Sequence, residues 1–203
     1  MELVNKEQEE LMREQIQERR EKRKKSAKVF REIIGWLVYI LVVVGATYLI
    51  VTYVGQRTKV SGPSMEATLQ DGDNLIVDKI SYRFREPERF EIIVFPYQYA
   101  EDTYYIKRII GLPGETVQII DGYVYIDGEL LEEDIYGKEV IDETKYGIAE
   151  ELIILDENEY FVMGDNRNHS SDSRDPSVGV LTGDKLIGRA WIRVYPFENF
   201  EVF

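Results

Sequence analysis

The stretch TYYIKRIIGLPGETVQIIDGYVYIDG, residues 103–128, decides the fold. Thr103 to Ile110 is rich in aromatic and β-branched residues, and Gly111-Leu112-Pro113-Gly114 ends it. Such a run bounded by turn formers reads as a strand. Thr116 to Ile120 and Tyr123 to Ile126 follow, each closed by an Asp-Gly pair. That pattern reads as a hairpin. Outward from here, Asn74 to Asp78, Glu91 to Phe95, Glu159 to Met163 and Leu186 to Tyr195 read as further strands. Strands of this length and spacing predict a mainly β, antiparallel domain, barrel-like or sandwich-like. Residues 132–151 are acidic with little pattern and read as a surface excursion.

One segment before this domain has membrane length. Ile33 to Val54 is 22 residues without a formal charge, and about 20 apolar residues span a bilayer core. A cleaved signal sequence would have a shorter apolar core and a small-x-small site after it. Val54-Gly55-Gln56-Arg57 offers none. Trp36, Tyr39 and Tyr53 lie near the two ends, where interfacial aromatics sit. The expected organisation is a charged helical segment over 1–32, a transmembrane helix over 33–54 and a β domain over 55–203. In the first segment Glu9/Arg13, Glu18/Lys22 and Glu21/Lys25 stand four apart in the favourable order. Basic residues crowd the N-terminal flank, from Arg19 to Arg31. The expected topology therefore has the N-terminus in the cytoplasm and 55–203 outside.

Charge and composition exclude several classes. Residues 55–203 carry fifteen Lys/Arg against thirty Asp/Glu, the wrong sign for a nucleic-acid partner. The chain has no cysteine and one histidine, His169, so neither thiol chemistry nor a multi-histidine metal site is open to it. No cofactor is expected. The lipid bilayer is the expected partner of residues 33–54.

Three stretches carry candidate chemistry. Ser64 follows Gly62-Pro63 and precedes Met65. Such a turn can expose a hydroxyl and leave N–H groups free for an oxyanion. A turn residue without function is the alternative. Lys107 shares a strand face with Tyr105 and Ile109, while Arg108 faces the other way with Ile106 and Ile110. An amine among apolar side chains loses solvation and its pKa falls, which would let it take a serine proton. A lysine whose charge reaches water is the alternative. Gly164 to Pro176 is a 13-residue polar loop. It holds Asp165/Arg167 and Asp172/Arg174, expected to bond each other and place a side chain. His169, in the same loop, would allow a Ser-His-Asp triad, though nothing else points to it.

Taken together, these boxes resemble bacterial type I signal peptidases. The boxes are Ser64-Met65 with Thr68-Leu69, then Tyr105 to Glu115, then Met163 to Arg167 with Ser170 and Asp172-Ser173-Arg174. They stand in the family's order. The resemblance implies a Ser-Lys dyad, with Ser64 as nucleophile and Lys107 as general base. It implies that Ser170 bonds and orients the lysine amine, that Asp172 and Arg174 hold that loop, and that the Ser64 N–H serves the oxyanion. It implies a serine endopeptidase that removes signal peptides from exported preproteins. Two departures stand out. Ala67 stands where the family usually has Pro, and is expected to loosen the loop. Arg89-Phe90-Glu91 stands where Arg-Gly-Asp is usual. Ten residues lead from Val54 to Ser64, at most about 36 Å of extended chain, so a nucleophile here stays near the membrane surface. A tethered β module that binds without cutting, and a Ser-Lys peptidase that cleaves itself or one dedicated partner, are the competing functions.

Overall fold

The computed structural model describes residues 2–100, 103–137 and 139–203. It divides into two compact units, residues 1–50 and Val51–Phe203. The first is helical throughout its described residues. Helix α1 runs Glu2–Tyr53. Within it, Lys22–Ile50 holds an 18-residue window of mean hydropathy 2.4, long and apolar enough to cross a membrane. Leu37, Ile40, Leu41 and Val44 are all exposed. Hydrocarbon is the solvent that suits a stretch apolar on every side. The side chains of Glu9, Arg13, Glu18 and Glu21, which were expected to form helix-surface pairs, lie outside the described residues.

The second unit is mainly antiparallel β, as the strand pattern predicts. Its strands are β1 (Gly55–Lys59), β2 (Asn74–Asp78), β3 (Ile92–Pro96), β4 (Tyr104–Gly111), β5 (Thr116–Ile120) and β6 (Tyr123–Ile126). They continue with β7 (Glu129–Leu130), β8 (Ile153–Ile154), β9 (Glu159–Met163), β10 (Leu181–Thr182), β11 (Gly188–Tyr195) and β12 (Glu201–Val202). One sheet has the order β1-β2-β11-β3-β4-β9-β10, with β12 also on β11. The other has the order β7-β6-β5-β8. The hairpin joining β5 and β6 has Asp121 and Gly122 both at positive φ, as a two-residue turn that follows the strand twist requires.

Strand β4 belongs to the first sheet and leads directly into the second. All six residues from Ile106 to Gly111 are buried. Ile106, Ile109 and Ile110 each enter a different apolar cluster. This is why the strand reads as a near-continuous apolar run rather than a strict alternation. Two corrections concern the connections. Residues 132–151 are not a bare excursion, since Ile141 and Ala149 are 3% and 0% exposed within the core around β5 and β6. The strand expected from Leu186 begins at Gly188, because Leu186 closes a single-turn helix over Gly183–Lys185.

Gly111 lies where the two sheets pack closely against each other. A Cβ there would lie 2.6 Å from Val117, 2.8 Å from Leu155 and 3.0 Å from Phe161. Gly111→Ala therefore overpacks the junction, and is expected to cost about 1–3 kcal/mol of stability. Chemical denaturation of the wild type and the variant measures that loss.

Candidate active site

Ser64 sits in a turn between β1 and β2. Met65 and Leu69 close one helical turn, with the Leu69 N–H donating to the Met65 carbonyl at 2.8 Å. They are 1% and 0% exposed, so two apolar side chains four residues apart root the turn in the core. The base of the turn is closed by backbone bonds between Val60 and residues 72–73. Arg193 from β11 donates to the Thr68 carbonyl at 2.7 Å and to Asp73 at 3.1 Å. The Ser64 N–H makes no backbone hydrogen bond among the described residues.

Lys107 comes from β4 and is 3% exposed. Its amine donates to Ser64 Oγ at 2.8 Å and to the Ile106 carbonyl at 2.9 Å. The amine also lies 5.0 Å from the centre of the Tyr105 ring. Burial pushes its pKa down from 10.5 to about 8, with Arg174 adding to the fall and Asp172 and Asp165 opposing it. The cause is the lost hydration of the ammonium form.

The polar loop after β9 packs against both residues. The Asn166 N–H donates to the Ser64 carbonyl at 3.1 Å, and its side-chain amide donates to the Pro63 carbonyl at 3.2 Å. Asp172 and Arg174 are 0% and 4% exposed and pair through two bonds of 2.8 Å. Asp172 also accepts the Gly164 N–H at 3.0 Å.

The other expected pair does not form. Asp165 is bound by Arg108, at 2.8 and 2.6 Å, and Arg167 is bound by Asp134, at 2.6 and 2.8 Å. Ser170 also departs from expectation. Its hydroxyl is buried without a hydrogen-bond partner among the described residues, while the lysine amine bonds Ser64 and Ile106. Ser170 nevertheless lies at the site: a Cβ on Gly164 would meet Ser170 Oγ at 2.3 Å and the Ser64 carbonyl at 2.4 Å. His169 is exposed on the loop.

Sequence reasoning missed the joint made by Arg108, Asp165 and Thr68. The Thr68 hydroxyl donates to Asp165 at 2.6 Å and accepts from Arg108 at 3.2 Å. The pair itself is 4% and 0% exposed. It ties the Ser64 turn, the Lys107 strand and the polar loop at one point. Removing one partner would strand a buried charge, at a cost of about 3–5 kcal/mol. The available signal was Arg108 itself, a cation facing inward with Ile106 and Ile110.

Both departures from the family pattern have a backbone explanation. Phe90 has φ 70, the left-handed region that favours glycine, where the pattern has Gly. Its ring packs 5.4 Å from the Tyr136 ring and against the core. Ala67 has φ 102, and a proline at position 67 could not take up this backbone conformation.

A groove runs past the two residues. Val60 and Gly62 line one wall and Tyr104–Ile106 the other, with Ser64 and Lys107 contributing to it. Strand β3 pairs with Tyr104–Ile106 on one edge. On the other edge β9 reaches only Arg108–Gly111. The edge at Tyr104–Ile106 therefore stays open to an added strand among the described residues.

Comparison with known proteins places the chain in a family. A family model described as signal peptidase, peptidase S26, matches residues 33–195. A probable signal peptidase I-2 of Synechocystis is 42% identical over 151 residues, 71% of this chain and 65% of its own length. The chain thus spans just under two thirds of that relative. A probable signal peptidase I-1 of the same organism is 36% identical, over 73% of this chain and 75% of its own. Signal peptidase I T of Bacillus subtilis is 33% identical, over 81% of this chain and 86% of its own. The family match runs from the apolar helix to the end of β11, and by it this protein belongs to the signal peptidase family, peptidase S26.

Proposed function

We propose that this protein is a serine endopeptidase that removes signal peptides from exported preproteins, with Ser64 as nucleophile and Lys107 as general base. Family membership supports signal-peptide cleavage. The observation that carries the dyad is the 2.8 Å bond between Lys107 Nζ and Ser64 Oγ, made by an amine whose burial lowers its pKa to about 8.

In this mechanism the neutral amine of Lys107 takes the Ser64 hydroxyl proton as Oγ attacks the scissile carbonyl. The Ser64 N–H stabilises the oxyanion; Gly62 supplies no hydroxyl to help it. The lysine ammonium then gives its proton to the leaving amine, which departs as the new N-terminus of the mature protein. Lys107 next deprotonates a water that attacks the acyl-enzyme ester, and Ser64 regains its proton as the signal peptide leaves. The Ser170 hydroxyl is available to hold the amine once Ser64 Oγ is acylated. Asp172 and Arg174 hold the loop that carries it.

The substrate is read as an extended segment added at the open edge of β4. Alternate side chains then face the groove, and small ones fit against Tyr105 and Val60. The apolar part of α1 supports a bilayer anchor, and the basic flank from Arg19 to Arg31 supports a cytoplasmic N-terminus. Residues 55–203 then work at the outer face of the cytoplasmic membrane.

Ser64→Ala and Lys107→Arg are both expected to abolish cleavage of a preprotein whose signal ends in Ala-x-Ala. Arginine keeps the charge but cannot act as a base. His169→Ala is expected to keep most activity. Mass spectrometry of the products reads all three, and substantial cleavage by the arginine variant would end the dyad mechanism.

The pH dependence has a definite sign. Only the deprotonated lysine is competent, so kcat/KM rises with pH and levels off above about 8. An unshifted lysine would instead put the rise near 10.5. Initial rates at subsaturating substrate across neutral and alkaline pH distinguish the two.

A further inference from the structure

Residues 132–137 and 139–151 lie against the polar loop, and the loop's side chains are bonded to them at three places. The Asn168 amide donates to the Val140 carbonyl at 3.1 Å and accepts the Asp142 N–H at 2.9 Å. Arg174 donates to the Lys145 carbonyl at 3.1 Å, while the Ile148 N–H donates to the Arg174 carbonyl at 2.9 Å. The third attachment is the ion pair of Asp134 and Arg167, 8% and 3% exposed at their side chains.

The first two attachments, with Ile141 and Ala149 in the core, already hold this strap on the loop. The Asp134–Arg167 pair adds something different. Arg167 Nε donates to the Gly164 carbonyl at 3.1 Å. Gly164 has no side chain because the Ser64 carbonyl and the Ser170 hydroxyl occupy that space. Asn166, between Gly164 and Arg167, donates to the Ser64 carbonyl. Fixing the Arg167 guanidinium therefore fixes the stretch of loop that abuts Ser64. Two residues beyond Asp134, the Tyr136 ring covers the Arg108 guanidinium at 3.6 Å, and Arg108 holds Asp165.

We propose that Asp134 is a positioning residue for the cleavage reaction, acting through Arg167 and the Gly164 carbonyl to hold Ser64 in register with Lys107. The inference rests on the Ser64–Lys107 reading above. Asp134 touches neither reacting atom. Its effect is on the geometry of the bound reactants, where a displacement of about 1 Å can cost on the order of 100-fold in rate. A loss of that kind appears in kcat and leaves KM in place.

The test uses the full chain in detergent with a preprotein substrate ending its signal in Ala-x-Ala. kcat and KM are measured for the wild type, Asp134→Asn and Gly137→Ala, well below each melting temperature. Gly137→Ala is an independent way to disturb the pair: a Cβ there would lie 2.9 Å from the Arg167 guanidinium carbon, and it removes neither charge. Asp134→Asn is expected to lower kcat about 10-fold or more with KM within about twofold, and Gly137→Ala to do the same more mildly. If Asp134→Asn does not fold, Gly137→Ala decides by the same criterion. An unchanged kcat in a folded variant, or a loss carried by KM alone, would overturn the inference. A wild type that cuts no preprotein would instead overturn the peptidase reading beneath it.

Discussion

Burying the Lys107 amine without giving it a counter-ion is the constraint around which the second unit is arranged. A buried lysine stays charged if a free carboxylate lies beside it. Asp165 and Asp172 are the carboxylates that raise its pKa, yet each is bonded to an arginine, Arg108 and Arg174 respectively. Arg167 and Asp134 form a third closed pair in the same region. Among the described residues the lysine has no ion pair of its own, only Ser64 and a carbonyl. The acidic composition of the domain thus does not reach the amine as an unmatched negative charge.

That arrangement depends on residues far apart in sequence. Strand β4 brings Lys107 and Arg108 to opposite faces, so one residue meets Ser64 and the next meets Asp165. Thr68 then closes the triangle from the Ser64 turn. Each arginine fork takes a carboxylate in two bonds, a geometry that fixes orientation as well as distance. Buried ion pairs of this kind are poor sources of net stability. Their contribution here is to hold three segments in one register, and the apolar clusters on either side of β4 supply the cohesion.

Much of this was legible in the sequence, and the gaps have physical causes. Strands β2, β5, β6 and β9 have the limits that their turn residues and alternation predict, because those signals are local. The burial of Lys107 did not follow from its strand neighbours alone, since the same pattern also suits a lysine whose charge reaches water. The pairing of Asp165 was misread. Arg167 is two residues away in sequence, but Arg108, 57 residues away, takes the carboxylate. No periodicity reports a contact at that separation. The strap over 132–151 was hidden by its composition, since acidic residues conceal Ile141 and Ala149 until the chain is folded. Phe90 and Ala67 were visible as departures, but only their φ values explain them.

The most direct test of a neutral lysine at this site is its own titration. In protein carrying labelled lysine side chains, the Lys107 signal is identified by its loss in Lys107→Met and followed by NMR across neutral and alkaline pH. The account predicts a midpoint of about 8. A Lys107 that titrates with the ordinary lysines near 10.5 would contradict it.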